Sequence, residues 1–132
     1  MSERKRAKVG DELPPLDIEL TPTVIISTAI ASRDYQDVHH DPTLAKERGS
    51  PDIFMNILST NGFVGRFITD WAGPDAIIKK VSIRLGAPNY PGDTMRMTGK
   101  VTAVDDGVAT VEVVGANNLG DHVVGTVEVV VP

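Results

Sequence analysis

Residues 53–71 read IFMNILSTNGFVGRFITDW, and apolar side chains at Ile57, Leu58, Phe63, Val64, Phe67, Ile68 and Trp71 recur at two or more per helical turn. The spacing predicts a helix over 53–71, buried on more than one side and stopped by Gly73-Pro74. Gly62 and Gly65 fall inside it, and each costs a helix interior about 1 kcal/mol relative to Ala. Their presence implies that another element packs closely on that stretch of backbone. Downstream the period changes. Residues 77–85, 94–104, 108–116 and 122–131 are β-branched runs, separated by turn signals at 89–92, at Asp106-Gly107 and at 117–121. Asp106-Gly107 is the strongest of these, because a two-residue hairpin turn favours residues that tolerate positive φ. One long helix followed by an antiparallel meander predicts an α+β fold whose sheet must wrap the helix to bury it.

Upstream of the helix, Thr21-Pro22 sets a capping hydroxyl before a proline suited to a first helical position, and Val24, Ile25, Thr28 and Ala29 follow near helical spacing. A short helix is expected there, held by packing, because its β-branched residues oppose it on propensity. A short strand is expected near 16–20. Residues 33–52 carry Pro42, Pro51 and Gly49-Ser50 and read as an irregular connection.

The chain of 132 residues is expected to be a single domain, 1–132, long enough to build a core without staples. It has no Cys, which excludes disulfides, thiolate metal sites and a Cys nucleophile. Its 13 Lys and Arg against 18 Asp and Glu give a net charge of −5. That balance argues against a general nucleic-acid binder. The one basic cluster, Arg4, Lys5, Arg6 and Lys8, is expected to form a loose, solvated tail over 1–9. Neither a secretory signal nor an apolar run of about 20 residues appears, so the expected location is the cytoplasm.

Histidine occurs three times, and His39 and His40 both fall in the polar stretch 32–42, SRDYQDVHHDP. On one continuous helix Asp34 and His39 would stand about 140° apart at 100° per residue. If the helix ends near Asp34 and the chain folds back, carboxylate and imidazole can face each other, as general acid/base chemistry requires. The bland reading stands beside it: Asp34, Asp37 and Asp41 as helix caps, with solvated histidines. His122 follows a turn at a strand end, where a structural or exposed role is expected. No metal site is expected, since adjacent histidines diverge and the sequence has no HxH, HExxH or Cys partner.

The segment 34–39, DYQDVH, fits a D-x-x-x-x-H pattern, and 89–94, NYPGDT, carries a Gly-Asp turn. Together they resemble the MaoC-like, R-specific enoyl-CoA hydratases, and the resemblance covers nearly the whole chain. Within that family the strings at 34–41, 52–58, 69–74 and 119–123 are similar to the small subunits of heteromeric steroid side-chain hydratases of actinobacteria. The resemblance implies a hot-dog fold and the hydration of a steroid enoyl-CoA thioester. It further implies Asp34 and His39 as the catalytic pair, the Ile57 backbone N–H at the thioester oxygen, and Asn56, Tyr90 and Gly92 lining the substrate pocket. The coenzyme A arrives on the substrate and no separate cofactor is implied. The implied partner is a second, larger MaoC-like subunit in a heterodimer or heterotetramer. Two departures stand out. Gln36-Asp37 replaces the usual Asn-Pro, removing a proline constraint from the turn, and Asn56-Ile57 replaces His-Gly at the start of the central helix.

Two other functions compete with this one. One is a noncatalytic hot-dog subunit whose partner brings the catalytic groups; the joint presence of Asp34 and His39 speaks against it. The other is a hot-dog thioesterase, which would place an acidic residue on the central helix, whereas 56–68 contains none.

Overall fold

In the computed structural model, which describes residues 7–132, β1 (Glu12–Glu19), β2 (Ile77–Leu85), β3 (Thr94–Asp105), β4 (Val108–Asn117) and β5 (Gly120–Val130) form one antiparallel sheet. Their spatial order is β1-β3-β4-β5-β2. The described residues also form three α-helices, α1 (Pro22–Ala31), α2 (Pro42–Glu47) and α3 (Ile57–Ala72), and a 3-10 turn at Asp37–His39. The α+β arrangement expected from the sequence is therefore the one adopted.

The hairpin turn falls where its chemistry put it. Asp106 and Gly107 have φ of +49° and +78°, and Asp105 pairs directly with Val108 across the two-residue loop. β1 is longer than expected and carries Pro14-Pro15 at a register shift between Leu13 and Leu16. Proline cannot donate to a ladder, so it is tolerated at a bulge on an edge strand.

The sheet's inner face and one stripe of α3 make the core. Thr60, Val64, Phe67 and Ile68 recur at i, i+4, i+7 and i+8 and are buried against alternate sheet residues such as Met97, Val101, Val111, Val113 and Val127. Burial on more than one side of α3 is not observed: Ile57 and Leu58 remain about half exposed, and Arg66, Thr69 and Asp70 face outward. Helix and sheet approach closely, but at the sheet's glycine. A Cβ on Gly99 would lie 2.9 Å from Phe67 Cε2, whereas at Gly62 and Gly65 it would meet nothing within 4 Å. The glycines of α3 therefore do not answer to packing within this chain.

Two further expectations change. The helix predicted from residue 53 begins at Ile57, and residues 53–56 lie outside it, because an extended Asn56 caps the helix with its side chain accepting from the Ser59 N–H. The supposed irregular connection holds α2, capped by Asp41, whose Oδ1 accepts from the N–H groups of Thr43 and Leu44 at 3.0 and 3.1 Å. Of the expected basic tail, Arg4, Lys5 and Arg6 lie outside the described residues. Of its described residues, Ala7 packs on the core and the Lys8 N–H donates to Asp11 Oδ2 at 2.9 Å. No helix among the described residues is long and apolar enough to cross a membrane.

Candidate active site

α1 ends by reversing the chain. The Arg33 N–H donates to Ile30 O and the Asp34 N–H to Ala29 O, both at 2.9 Å, and Arg33 has a φ of +57°. These paired bonds around a left-handed residue are a Schellman cap, here made without glycine. The helix thus stops before Asp34, the interruption that a facing Asp34 and His39 require. A single 3-10 turn, Asp37–His39, then carries His39 back. In place of a proline, that turn is pinned by Asp37, whose two carboxylate oxygens accept from Arg48 Nε at 2.9 Å each. Asp41 thus caps a helix, as expected for it, whereas Asp37 serves structure through its ion pair with Arg48 and not as a cap.

The segment 53–56 supplies the wall. The Phe54 N–H donates to Val38 O and the Met55 N–H to Asn89 O, both at 3.1 Å, so the segment is tied to the His39 turn on one side and to the β2–β3 connection on the other. This places Phe54 O to accept from His39 Nδ1 at 2.7 Å, while the Phe54 ring meets the buried imidazole edge-on at 4.9 Å between centroids. A carbonyl only accepts, so Nδ1 carries the proton and Nε2 presents a lone pair in the neutral ring.

That lone pair faces Asp34. His39 Nε2 stands 3.4 Å from Asp34 Oδ2, longer than a charge-assisted hydrogen bond. Asp34 Oδ1 accepts from the Gln36 N–H at 3.2 Å, and Oδ2 accepts from Asn56 Nδ2 at 3.0 Å. The Asn56 hydrogen bond, above all, holds the carboxyl below its ordinary value of 3.8; burial opposes it, and the Gln36 N–H and the nearby His39 and His40 add to it. The result is an ionised carboxylate oxygen and an imidazole nitrogen, two acceptors directed at the same small volume.

The other expected residues fall around this pair. Asn56 is buried, with its amide turned to Asp34, to Ser32 Oγ at 3.0 Å and to Ser59. Ile57 is the first residue of α3, and its N–H has no acceptor among the described residues, as the first turn of a helix allows. Tyr90 is half-buried and Gly92 exposed on the β2–β3 connection, and among the described residues neither hydrogen-bonds to the pair. His40 is exposed at the end of the 3-10 turn, away from His39's buried position. His122 is structural and not exposed: it is buried in β5, with Nδ1–H donating to Ala87 O at 2.7 Å and Nε2 accepting from Thr60 Oγ1 at 2.8 Å. Sequence reasoning missed Phe54, whose carbonyl fixes the His39 tautomer, and Ser32, on which the Asn56 amide also rests. A main-chain acceptor leaves no side-chain signature. Asn56 as a cap was readable from its place three residues before Ser59, had the helix been started there.

An open apolar groove of about 310 Å³ adjoins the site, lined by Thr28, Ala31, Ser32, Leu58, Ser59 and Phe63 among others.

A long helix packed on the inner face of a five-stranded antiparallel sheet defines a class of fold, and the chain belongs to it. It is a member of the MaoC-like domain family, whose model matches residues 5–123. Among individual proteins, the 3-oxo-4,17-pregnadiene-20-carboxyl-CoA hydratase beta subunit of Mycobacterium tuberculosis (strain ATCC 25618 / H37Rv) is 58% identical over 120 residues, 91% of this chain and 93% of that one. A chain in the crystal structure of the ChsH1-ChsH2 complex from Mycobacterium tuberculosis superposes with a TM-score of 0.93 at 55% identity, covering 95% of this chain and 98% of that chain. The (R)-hydratase from A. caviae involved in PHA biosynthesis superposes with a TM-score of 0.88 at 20% identity, covering 98% of this chain and 100% of that one, and so shares the hot-dog fold.

Proposed function

We propose that this chain is the small, catalytic subunit of a cytoplasmic heteromeric hydratase that adds water across the 2,3-double bond of a steroid side-chain enoyl-CoA. The observation that carries the reading is the 3.4 Å approach of His39 Nε2 to Asp34 Oδ2 with every other polar atom of the two side chains already anchored. Two acceptors that cannot satisfy one another suit a water placed between them, donating one proton to each. As the water oxygen bonds to the β-carbon, the pair takes up one proton. One proton returns to the α-carbon, so the pair is regenerated with no net proton change. The two groups act together on one water.

Between those events negative charge sits on the thioester oxygen. The Ile57 N–H, unpaired at the positive end of the 16-residue helix α3, is the donor assigned to it. Replacing the family's glycine by Ile57 changes the pocket wall and leaves the donor in place. The apolar groove beside Ser32 and Ser59 suits a rigid hydrocarbon portion of the substrate, with Asn56, Tyr90 and Gly92 bordering the acyl end. The groove is open on the isolated chain, whereas small-molecule sites usually bury most of their ligand. A second, larger MaoC-like subunit is assigned to close it, in keeping with the two-subunit complex whose chain this one resembles. Coenzyme A is carried in by the substrate, and no resident cofactor is invoked.

The test is hydration of steroid and straight-chain enoyl-CoA thioesters by the co-expressed complex. Asp34→Asn and His39→Ala are each expected to leave a folded protein and to lower turnover by at least ~10²-fold, the size of losing a positioned acid/base group. Near-normal turnover in both variants would remove this chain from the catalytic role and leave it as a noncatalytic subunit.

A further inference from the structure

Asn56 sits where α1, α3 and the Asp34 carboxylate meet. Its Oδ1 accepts from the Ser59 N–H at 3.0 Å and from the Ser59 hydroxyl, which caps α3. A backbone N–H can only donate, so the amide's orientation is fixed: oxygen toward α3, nitrogen toward α1 and the site. Nδ2 then donates to Ser32 Oγ and to Asp34 Oδ2, both at 3.0 Å. Ser32 cannot turn away, because its own hydroxyl donates to the α1 carbonyls of Thr28 and Ala29 at 2.9 Å each. Both amide protons and the amide oxygen are therefore used, and the residue is buried.

We infer that Asn56 is a positioning residue for the hydration reaction: the capping amide of α3 orients the Asp34 carboxylate toward His39 Nε2 and keeps it in the acceptor form. The inference rests on the assignment of Asp34 and His39 as the acid/base pair. Three facts carry it. The oxygen that receives the Asn56 N–H is the same Oδ2 that faces His39. The other Asp34 oxygen has only a 3.2 Å bond to the Gln36 N–H, so removing Asn56 frees the carboxylate to rotate. And Asn56 is anchored to two helices, so it imposes its geometry on Asp34 instead of following it. The titratable groups that act on Asp34 are His39 and His40, and both are cationic when charged.

Because Asn, Ser and Asp are comparable N-caps, substitution separates capping from positioning. Asn56→Ser keeps a cap but cannot extend a donor to Asp34. Asn56→Asp keeps the cap and sets a second carboxylate against Asp34, which favours protonation of one of the two. In the co-expressed complex, Asn56→Ser is expected to lower kcat about 10- to 100-fold, as a misplaced reacting group does. KM should change little, and the acid limb of the pH–rate profile should move to higher pH. Asn56→Asp is expected to move that limb further in the same direction. Carbon-13 NMR titration of the Asp34 carboxyl should show the same order of the three proteins. Normal kcat, profile and Asp34 titration in both variants would overturn the inference. Asp34→Asn and His39→Ala measured alongside distinguish the two levels: if they too retain activity, the acid/base assignment itself has failed.

Discussion

His39 and His122 are held by the same device and differ in what their second nitrogen meets. Each gives Nδ1–H to a main-chain carbonyl at 2.7 Å. His39 Nε2 then opens onto a carboxylate, whereas His122 Nε2 is closed off by the Thr60 hydroxyl inside the core. Burial pushes the His122 imidazole below its ordinary value of 6.5, against the smaller opposing effect of the Ala87 carbonyl. A histidine whose folded value is depressed binds its proton more readily when unfolded. Its contribution is thus complete above pH 6.5 and is lost progressively below it, toward the depressed folded value. The expected outcome is a melting temperature that falls more steeply from pH 7 to pH 5 in the parent than in His122→Gln, with stability changing by no more than about 1.4 kcal/mol per pH unit from one group. Asp34, lowered from 3.8, acts only in a more acid window and does not interfere. Equal slopes in both proteins would show that His122 does not titrate on unfolding. Asp34 and His39 could be singled out from the residues in order because they stand together in a polar, proline-marked stretch, but the sequence alone does not separate Asp34 from Asp37, which pairs with Arg48, or from Asp41, which caps α2. The partners that fix Asp34 and His39 could not be singled out. Phe54 O is 15 positions from His39, and Asn56 is 22 from Asp34, and periodicity carries no information about such pairings.

The glycines of α3 show where local reading of a helix ran out. Period and propensity located α3, its turn of chain at Gly73 and its buried stripe, yet they placed its start four residues early, because Ile53 and Met55 are buried apolar residues of the segment before it. A buried strand and a buried helical turn look alike over so short a run. The same locality misled the account of Gly62 and Gly65, where the close approach lies at Gly99 and Phe67 instead. A Cβ at either helix position meets nothing, so Gly62→Ala and Gly65→Ala in the isolated chain should each stabilise by about 0.5–1 kcal/mol through reduced freedom of the unfolded chain. A melting temperature higher by about 2–5 °C is the expected reading. If the same variants weaken the heteromer, the glycines answer to the partner; a fall in stability of the isolated chain would mean that α3 is packed more tightly than the structure has it. Arg33 is the complementary case, a left-handed cap that composition could not announce because glycine usually fills it.

Considered as a whole, the chain ends its sheet in two unlike edges. β1 is interrupted by Pro14-Pro15 and its bulge, which blunts it as a pairing template. β2 runs nine residues with no proline, pairs on one side only with β5, and leaves Ile77, Val81 and Leu85 exposed. The β2 edge is also continuous with the site, because Val81, Ser82 and Ile83 share an open groove with Ile57 and Asn61 of α3. A second hot-dog subunit that pairs along β2 would therefore satisfy an exposed edge, cover apolar side chains and reach the Ile57 N–H from the open side. Pairing along β1 would cover neither those apolar side chains nor the open side of the Ile57 N–H. The expected outcome is that Val81→Lys weakens association with the larger subunit and lowers hydratase activity, that raising the partner concentration restores the activity, and that the melting temperature of the isolated chain hardly moves. Glu19→Lys, on the exposed side of β1, should assemble like the parent. Native mass spectrometry of each mixture reads the result directly, and the reverse pattern, with Glu19→Lys dissociated and Val81→Lys intact, would place the partner on the other edge and leave the groove beside Ile57 to be closed by something else.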